Sequence, residues 1–118
     1  SLRILNNVSP TWRINKENDM KIYTGKSAVF GIQLTIDQVW RYVMTATDLL
    51  TVKIADSYGN VISTELTNEA VDDKDKMVTV ILTPAQTAQL QPGHGQLMAY
   101  LNDLVVVQPQ KITIKGAL

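Results

Sequence analysis

The sequence predicts an all-β chain, an antiparallel sandwich of seven to eight short strands with one or two short helices. Three observations carry that prediction. Apolar residues alternate with polar ones in short runs, the period of strands with one buried face. Clusters of Gly, Pro, Asn and Asp break those runs at roughly the 8–12-residue spacing typical of small sandwiches. No long helical pattern lies between the runs, and a parallel sheet would need such crossovers.

Residues 1–19 differ in texture from the rest. Leu2–Leu5 and Thr11–Ile14 are β-type, Asn6-Asn7 and Pro10 punctuate them, and the polar run Asn15–Asp19 follows. This reads as an N-terminal arm or linker, ordered only where it pairs with something, ahead of a domain over 20–118. In that domain Lys21–Thr24 leads into Ser27–Thr35, where Phe30, Ile32, Leu34 and Ile36 should face the core against Val29, Gly31, Gln33 and Thr35. Ile36, Val39, Trp40, Val43 and Met44 recur at helical spacing, which suggests a short helix over 37–44. Tyr42, Val43, Thr45 and Thr47 suit an extended segment equally well, and so short a run does not decide between them.

After Asp48 the alternation sharpens: Leu50, Val52 and Ile54 stand against Thr51, Lys53 and Ala55. Asp56-Ser57-Tyr58-Gly59-Asn60 then turns the chain and Val61–Thr67 returns, a hairpin whose Gly-Asn pair tolerates positive backbone angles. Asn68–Lys76 is the most polar stretch and reads as an exposed loop. Met77–Leu82 alternates again. At Thr83-Pro84-Ala85-Gln86 a helix start is spelled out: Thr83 caps, Pro84 suits the first helical position, and Gln86 completes a capping box. Pro92-Gly93 should end that helix after about two turns. Gln96–Leu101 is the next strand and Asn102-Asp103 the turn after it. Leu104–Gln108 follows, Pro109 interrupts that run as expected of an edge position or a bulge, and Lys111–Lys115 closes the domain.

Composition narrows the function classes. The chain has 118 residues, enough for one core without disulfides or metals, and 11 basic residues balance 11 acidic ones. That balance gives no reason to expect nucleic acid, whose binding requires concentrated positive charge. With no cysteine, disulfides, thiol catalysis and thiolate metal sites are excluded. No apolar run approaches the roughly 18 residues of a membrane span, so no membrane insertion is expected. The opening SLRILNNVSP lacks a charged-then-apolar secretory pattern, so export by a cleaved signal is not expected either.

The motifs that could carry chemistry are weak. Gly25-Lys26-Ser27 imitates the end of a phosphate-binding loop, but Met20 stands where the first glycine belongs and a strand follows, so an ordinary turn fits better. Asp72, Asp73 and Asp75 lie among Lys74 and Lys76 without the glycine or distal glutamate of a calcium loop, and read as solvated. His94, the single histidine, sits between Gly93 and Gly95 with no ligand partner in its own segment, and reads as a surface turn residue. No nucleophile elbow is present, and acid, base and nucleophile sets cannot be assembled. The expectation is a non-enzyme with no cofactor, no metal and no catalytic residue. Large aromatics are the candidate contacts. Trp40 suits the core, Trp12 suits either an intermolecular contact or packing on its own domain, and Tyr58 should be exposed at the hairpin tip.

Met20 to Ile114 resembles the immunoglobulin-like N-terminal domain of bacteriophage baseplate upper proteins and related tail modules. The likeness lies in the order of Gly25-Lys26-Ser27 with Val29–Leu34, then Leu50–Ile54 with Tyr58–Ile62, then Val78–Thr87, then Leu90–Gly93 leading into Gln96–Tyr100. The resemblance implies an immunoglobulin-like sandwich and a structural, assembling role in a phage virion built in the host cytoplasm. Its partners would be other phage structural proteins, with homo-oligomer formation. Leu2 and Ile4 of the arm, with Trp12 and Tyr58, are then the candidate interaction residues, the arm adding to a neighbour's sheet edge. The alternatives are a host-receptor or carbohydrate-binding module, or a phage head fibre or decoration protein.

Overall fold

The structure is a computed structural model that describes residues 11–13, 21–36, 40–74, 76–102 and 104–116; at 11–13, 35–36, 40–41 and 104–109 it describes the backbone alone. The strands are β1 (Thr11–Arg13), β2 (Lys21–Tyr23), β3 (Ala28–Gln33), β4 (Thr35–Ile36), β5 (Trp40–Arg41), β6 (Leu50–Asp56), β7 (Val61–Leu66), β8 (Val78–Leu82), β9 (Gly93–Leu101) and β10 (Leu104–Lys115). Two layers result. One sheet has the order β2-β10-β9-β6-β7 and the other β1-β3-β8, while β4 and β5 form a short hairpin of their own. Helical structure in the described residues is a 3₁₀ turn, Asn68–Ala70, and a single-turn helix α1, Pro84–Thr87.

Alternation in the sequence becomes the two facing layers. In β6, Leu50, Val52 and Ile54 are buried and Thr51, Lys53 and Ala55 point outward. Leu97, Ala99 and Leu101 of β9 and Ile112 and Ile114 of β10 extend the same inner face. Against it lie Phe30 and Ile32 of β3 and Val78, Val80 and Leu82 of β8, with Ile22, Leu34, Met44, Ile62 and Leu90 filling the margins. Each large aliphatic in this core contributes roughly 1.5–3 kcal/mol of burial, so the interlocked inner faces are what hold the layers together.

At α1 the sequence grammar is realised in full. The Thr83 hydroxyl accepts from the Gln86 amide (3.2 Å) and the Gln86 side chain accepts from the Thr83 amide (2.9 Å). The helix is one turn rather than two, because the chain tightens into successive three-residue turns, Gln89 N–H to Gln86 C=O and Leu90 N–H to Thr87 C=O, and buries Leu90. The Thr87 hydroxyl, fully buried, donates to the Lys26 carbonyl (2.8 Å) and ties the plug to the β2–β3 turn.

Long-range pairing supplies what local pattern leaves open. Over 40–44 the chain is extended: β5 pairs with β4, and the Tyr42 amide continues the pairing to the Leu34 carbonyl (2.8 Å). Asp48 accepts the Tyr42 hydroxyl and the Thr45 amide, so the segment's polar groups are satisfied without helical bonding. One pair of the sandwich is parallel, Thr113↔Lys21 through Lys115↔Tyr23 in β10 and β2. That is possible because the chain leaves β2 for the opposite layer, so no tight hairpin has to connect the two strands. From the expected arm, residues 11–13 supply β1, which pairs antiparallel with β3 of the same chain. Pro109 does not divide the last run into two: β10 is one strand from Leu104 to Lys115, and the irregularity shows as register shifts between Val105 and Val107 and between Val107 and Gln110.

Candidate interaction surfaces

Each end of the five-stranded sheet is fastened by a buried aspartate. Asp56 closes β6, and its carboxylate gathers four N–H donors. Oδ1 accepts from the Tyr58 and Asn60 amides (both 2.9 Å), and Oδ2 accepts from the Asn60 side-chain amide and the Gln91 backbone amide (both 2.8 Å). The first three bonds shape the hairpin turn, with Gly59 at φ 92°; the fourth reaches across to the segment after α1. Desolvation pushes this carboxyl upward, yet the Gln91 and Asn60 donors outweigh it and bring the pKa down to about 2.

Asp48 does the same at the opposite end. Its Oδ1 accepts from the Asn102 side-chain amide (2.9 Å), and Asn102 in turn bonds both the N–H and the C=O of Leu49 (2.8 Å each). Asn102 adopts φ 50° in the β9–β10 turn, a conformation asparagine tolerates well. Burial raises the Asp48 pKa, but the Thr45 amide, Tyr42 and Asn102 lower it further, for a net downward shift. Burial and the adjoining Asp48 push the Tyr42 phenol up to about 12, so it stays a neutral donor.

Both networks tie a turn to a strand end. Among the described residues, no group of three or more His, Asp or Glu side chains could hold a metal ion, and no helix is long and apolar enough to cross a membrane. In the 68–76 loop, Asp72 uses its carboxylate to accept the Lys74 amide (2.7 Å). Gly25 turns the chain at φ 77° and nothing lies within 4 Å of its would-be Cβ. His94 is exposed as expected but lies in a strand rather than a turn: it is the second residue of β9, opposite Thr113, and borders an open cleft of about 310 Å³ lined by Ala55, Asp56, Ser57, Gly95, Gln96 and Lys111.

The remaining surface is made of faces and edges. Val29 and Ile81 stand directly opposite one another on the outer face of the three-stranded sheet, 61% and 57% exposed. Beside them Met77 lies over Gly31, where its Cε would sit 2.7 Å from an added Cβ. Tyr58 is 71% exposed at the β6–β7 tip, as expected from its place in the turn. Trp12 pairs through its backbone opposite Ile32, and neither its side chain nor that of Trp40 is among those described. Leu2 and Ile4 lie outside the described residues. Of the four candidate contacts, Tyr58 is the one whose side chain is described. Sequence reasoning missed both aspartate networks; their local signals were Asp-x-x-x-Asn in the turn and Thr-x-x-Asp at Thr45 and Asp48, while Gln91 and Asn102 join from 35 and 54 residues away.

No protein-family model matches the sequence, and no curated protein matches it. Among solved structures the chain is similar to one described as the crystal structure of the Lin-41 filamin domain, with 14% identity, a TM-score of 0.56 and 92% of each chain covered. At that identity the likeness concerns the fold alone. Together with the two facing sheets it shows an immunoglobulin-like β-sandwich.

Proposed function

We propose that the chain is a non-enzymatic structural module of a phage virion, a tail baseplate component that assembles with copies of itself and other structural proteins through a sheet edge. One observation carries this reading. Strand β7 ends the five-stranded sheet, its outer edge is unpaired among the described residues, and its sequence VISTEL holds neither proline nor lysine. Edges that are not meant to pair are usually blunted by such residues. The opposite edge, β2, is only three residues long and carries Lys21.

The donor that suits the open edge is the β-type segment Leu2–Leu5 of a neighbouring copy. Extended, it places Leu2 and Ile4 on one face, and the exposed ring of Tyr58 beside the start of β7 gives that contact an aromatic anchor. The Val29–Ile81 pair adds apolar area for a further contact. The virion setting draws on the resemblance of Met20–Ile114 to baseplate upper domains, and the same edge would serve a head fibre or decoration protein.

Sedimentation velocity tests the reading. The full chain should self-associate. A chain lacking residues 1–10, which keeps β1, should stay folded by circular dichroism and sediment mainly as monomer. Thr64→Lys, a charge on the inward side of the edge strand, should do the same. Undiminished association in both variants, or a wild-type chain that is monomeric at high micromolar concentration, would contradict it.

A further inference from the structure

We infer that the cleft beside Asp56 on the outer face of the five-stranded sheet binds an acidic glycan, one carrying carboxylate or phosphate groups. The chain is neutral as a whole, but its described charges are not evenly spread. On the half of that face formed by β2, β10 and the start of β9 stand Lys21, Lys111, Lys115 and His94, all exposed and with no acidic side chain among them. Glu65 is the one acid on the described outer face, and it lies at the far corner, on β7 opposite Thr51. The register sets the basic groups close together. Lys111 is opposite Gln96, which is opposite Ala55, and the next row outward brings Lys21 and His94 to either side of Thr113. With strands roughly 4.8 Å apart and alternate residues roughly 6.7 Å apart, the backbones of Lys111 and Lys21 are about 8 Å from one another.

The cleft's chemistry selects among anionic partners. Beside Asp56 its lining is the small residues Ala55 and Gly95 with Ser57, His94, Gln96 and Lys111. A hydroxyl, an imidazole, a carboxamide and an ammonium supply the mixed donors and acceptors that sugar hydroxyls and an acid group require. Asp56 borders the cleft, but both its oxygens are held by the four N–H donors of the turn and of Gln91. A protein partner would need an apolar anchor, and none of the exposed large hydrophobic residues (Tyr23, Val29, Val43, Leu49, Tyr58, Val61, Ile81) lines the cleft. Single-stranded nucleic acid would need free rings for stacking. The Tyr100 ring is already covered by the Lys53 ammonium, 5.4 Å from its centroid, and neither exposed tyrosine among the described residues, Tyr23 or Tyr58, lines the cleft. At about 310 Å³ the space is at the small end of ligand sites and suits a short saccharide.

This site is separate from the open β7 edge, and the inference does not depend on assembly through that edge. Titration calorimetry on the full chain tests it with four probes: an oligogalacturonate, a glycerol-phosphate oligomer, neutral dextran, and oligo-dT. One or both acidic oligomers should bind, dextran should not, and the arm that binds tells carboxylate from phosphate recognition. Lys111→Glu, at an exposed position, should weaken binding at least tenfold; Lys76→Glu, at the far end of the domain, should leave it unchanged. Failure of both acidic oligomers to bind, indifference to Lys111→Glu, or oligo-dT binding as tightly with the same dependence on Lys111, would overturn the assignment.

Discussion

Replacing Asp56 with alanine should lower the melting temperature by roughly 10 °C and reduce the acid sensitivity of the fold. The carboxylate holds together three pieces of chain: the end of β6, the turn to β7, and the segment after α1 that reaches in through the Gln91 amide. Without it the Tyr58, Asn60 and Gln91 donors lose their acceptor in a place where the backbone is partly shielded from water. Asn at position 56 is no substitute, since its amide group would turn two donors toward donors. The pH dependence has a definite sign. The folded pKa of about 2 lies below the ordinary 3.8, so the stabilisation is present above the unfolded value and is lost as pH falls through about 2. Asp48, also shifted downward, adds to the loss in the same direction. Scanning calorimetry between pH 5 and 2 should show the melting temperature of the wild type falling more steeply than that of Asp56→Ala; parallel slopes would remove Asp56 from this role.

Gly95→Val should yield no folded domain, and Gly95→Ala should cost about 2–3 kcal/mol. Gly95 lies on the central strand β9, facing inward between β6 and β10. A Cβ there would stand 2.8 Å from the Ala55 carbonyl oxygen, 2.9 Å from Ile114 Cδ1 and 3.2 Å from Ile112 Cγ1. The Ile114 methyl can rotate away, but the Ala55 oxygen belongs to the neighbouring strand and moves only if the β6–β9 pairing opens. Valine adds two branch carbons to a Cβ already this close to both isoleucines, and a domain of this size has only roughly 5–15 kcal/mol to lose. Gly25, by contrast, has open space around it and φ 77°, so Gly25→Ala meets backbone strain alone and should cost about 1 kcal/mol. Urea denaturation of the three variants checks the ranking; equal midpoints for Gly95→Ala and Gly25→Ala would contradict the close approach described here.

What the sequence made legible was governed by distance along the chain. Strand alternation at Leu50–Ala55 and at Met77–Leu82, the hairpin at Gly59-Asn60 and the capping box at Thr83 and Gln86 are all settled by neighbours within a few residues, and each is found where expected. The segment from Ile36 to Met44 was ambiguous because its apolar spacing fits two periods; what decides it is Asp48, whose acceptance of Tyr42 and Thr45 favours the extended form. Nor could local reading see that β2 would pair parallel with β10, since the two strands are about ninety residues apart and meet only once both sheets exist. The candidate surfaces follow the same rule. Tyr58 was legible as an exposed tip residue from its turn alone. The gathering of Lys21, Lys111, Lys115 and His94 onto one half of a face was not, because a neutral composition conceals a charge separation that the strand order creates.

The account of function depends on β7 being the strand that accepts a neighbour. Amide hydrogen exchange, compared between dilute monomer and concentrated self-associated protein, tests that directly. The account predicts slowed exchange on association within Val61–Leu66, with β8 and β2 unchanged. Protection that appears on β8 or β2 while the amides of Val61–Leu66 exchange at their monomer rates would contradict it.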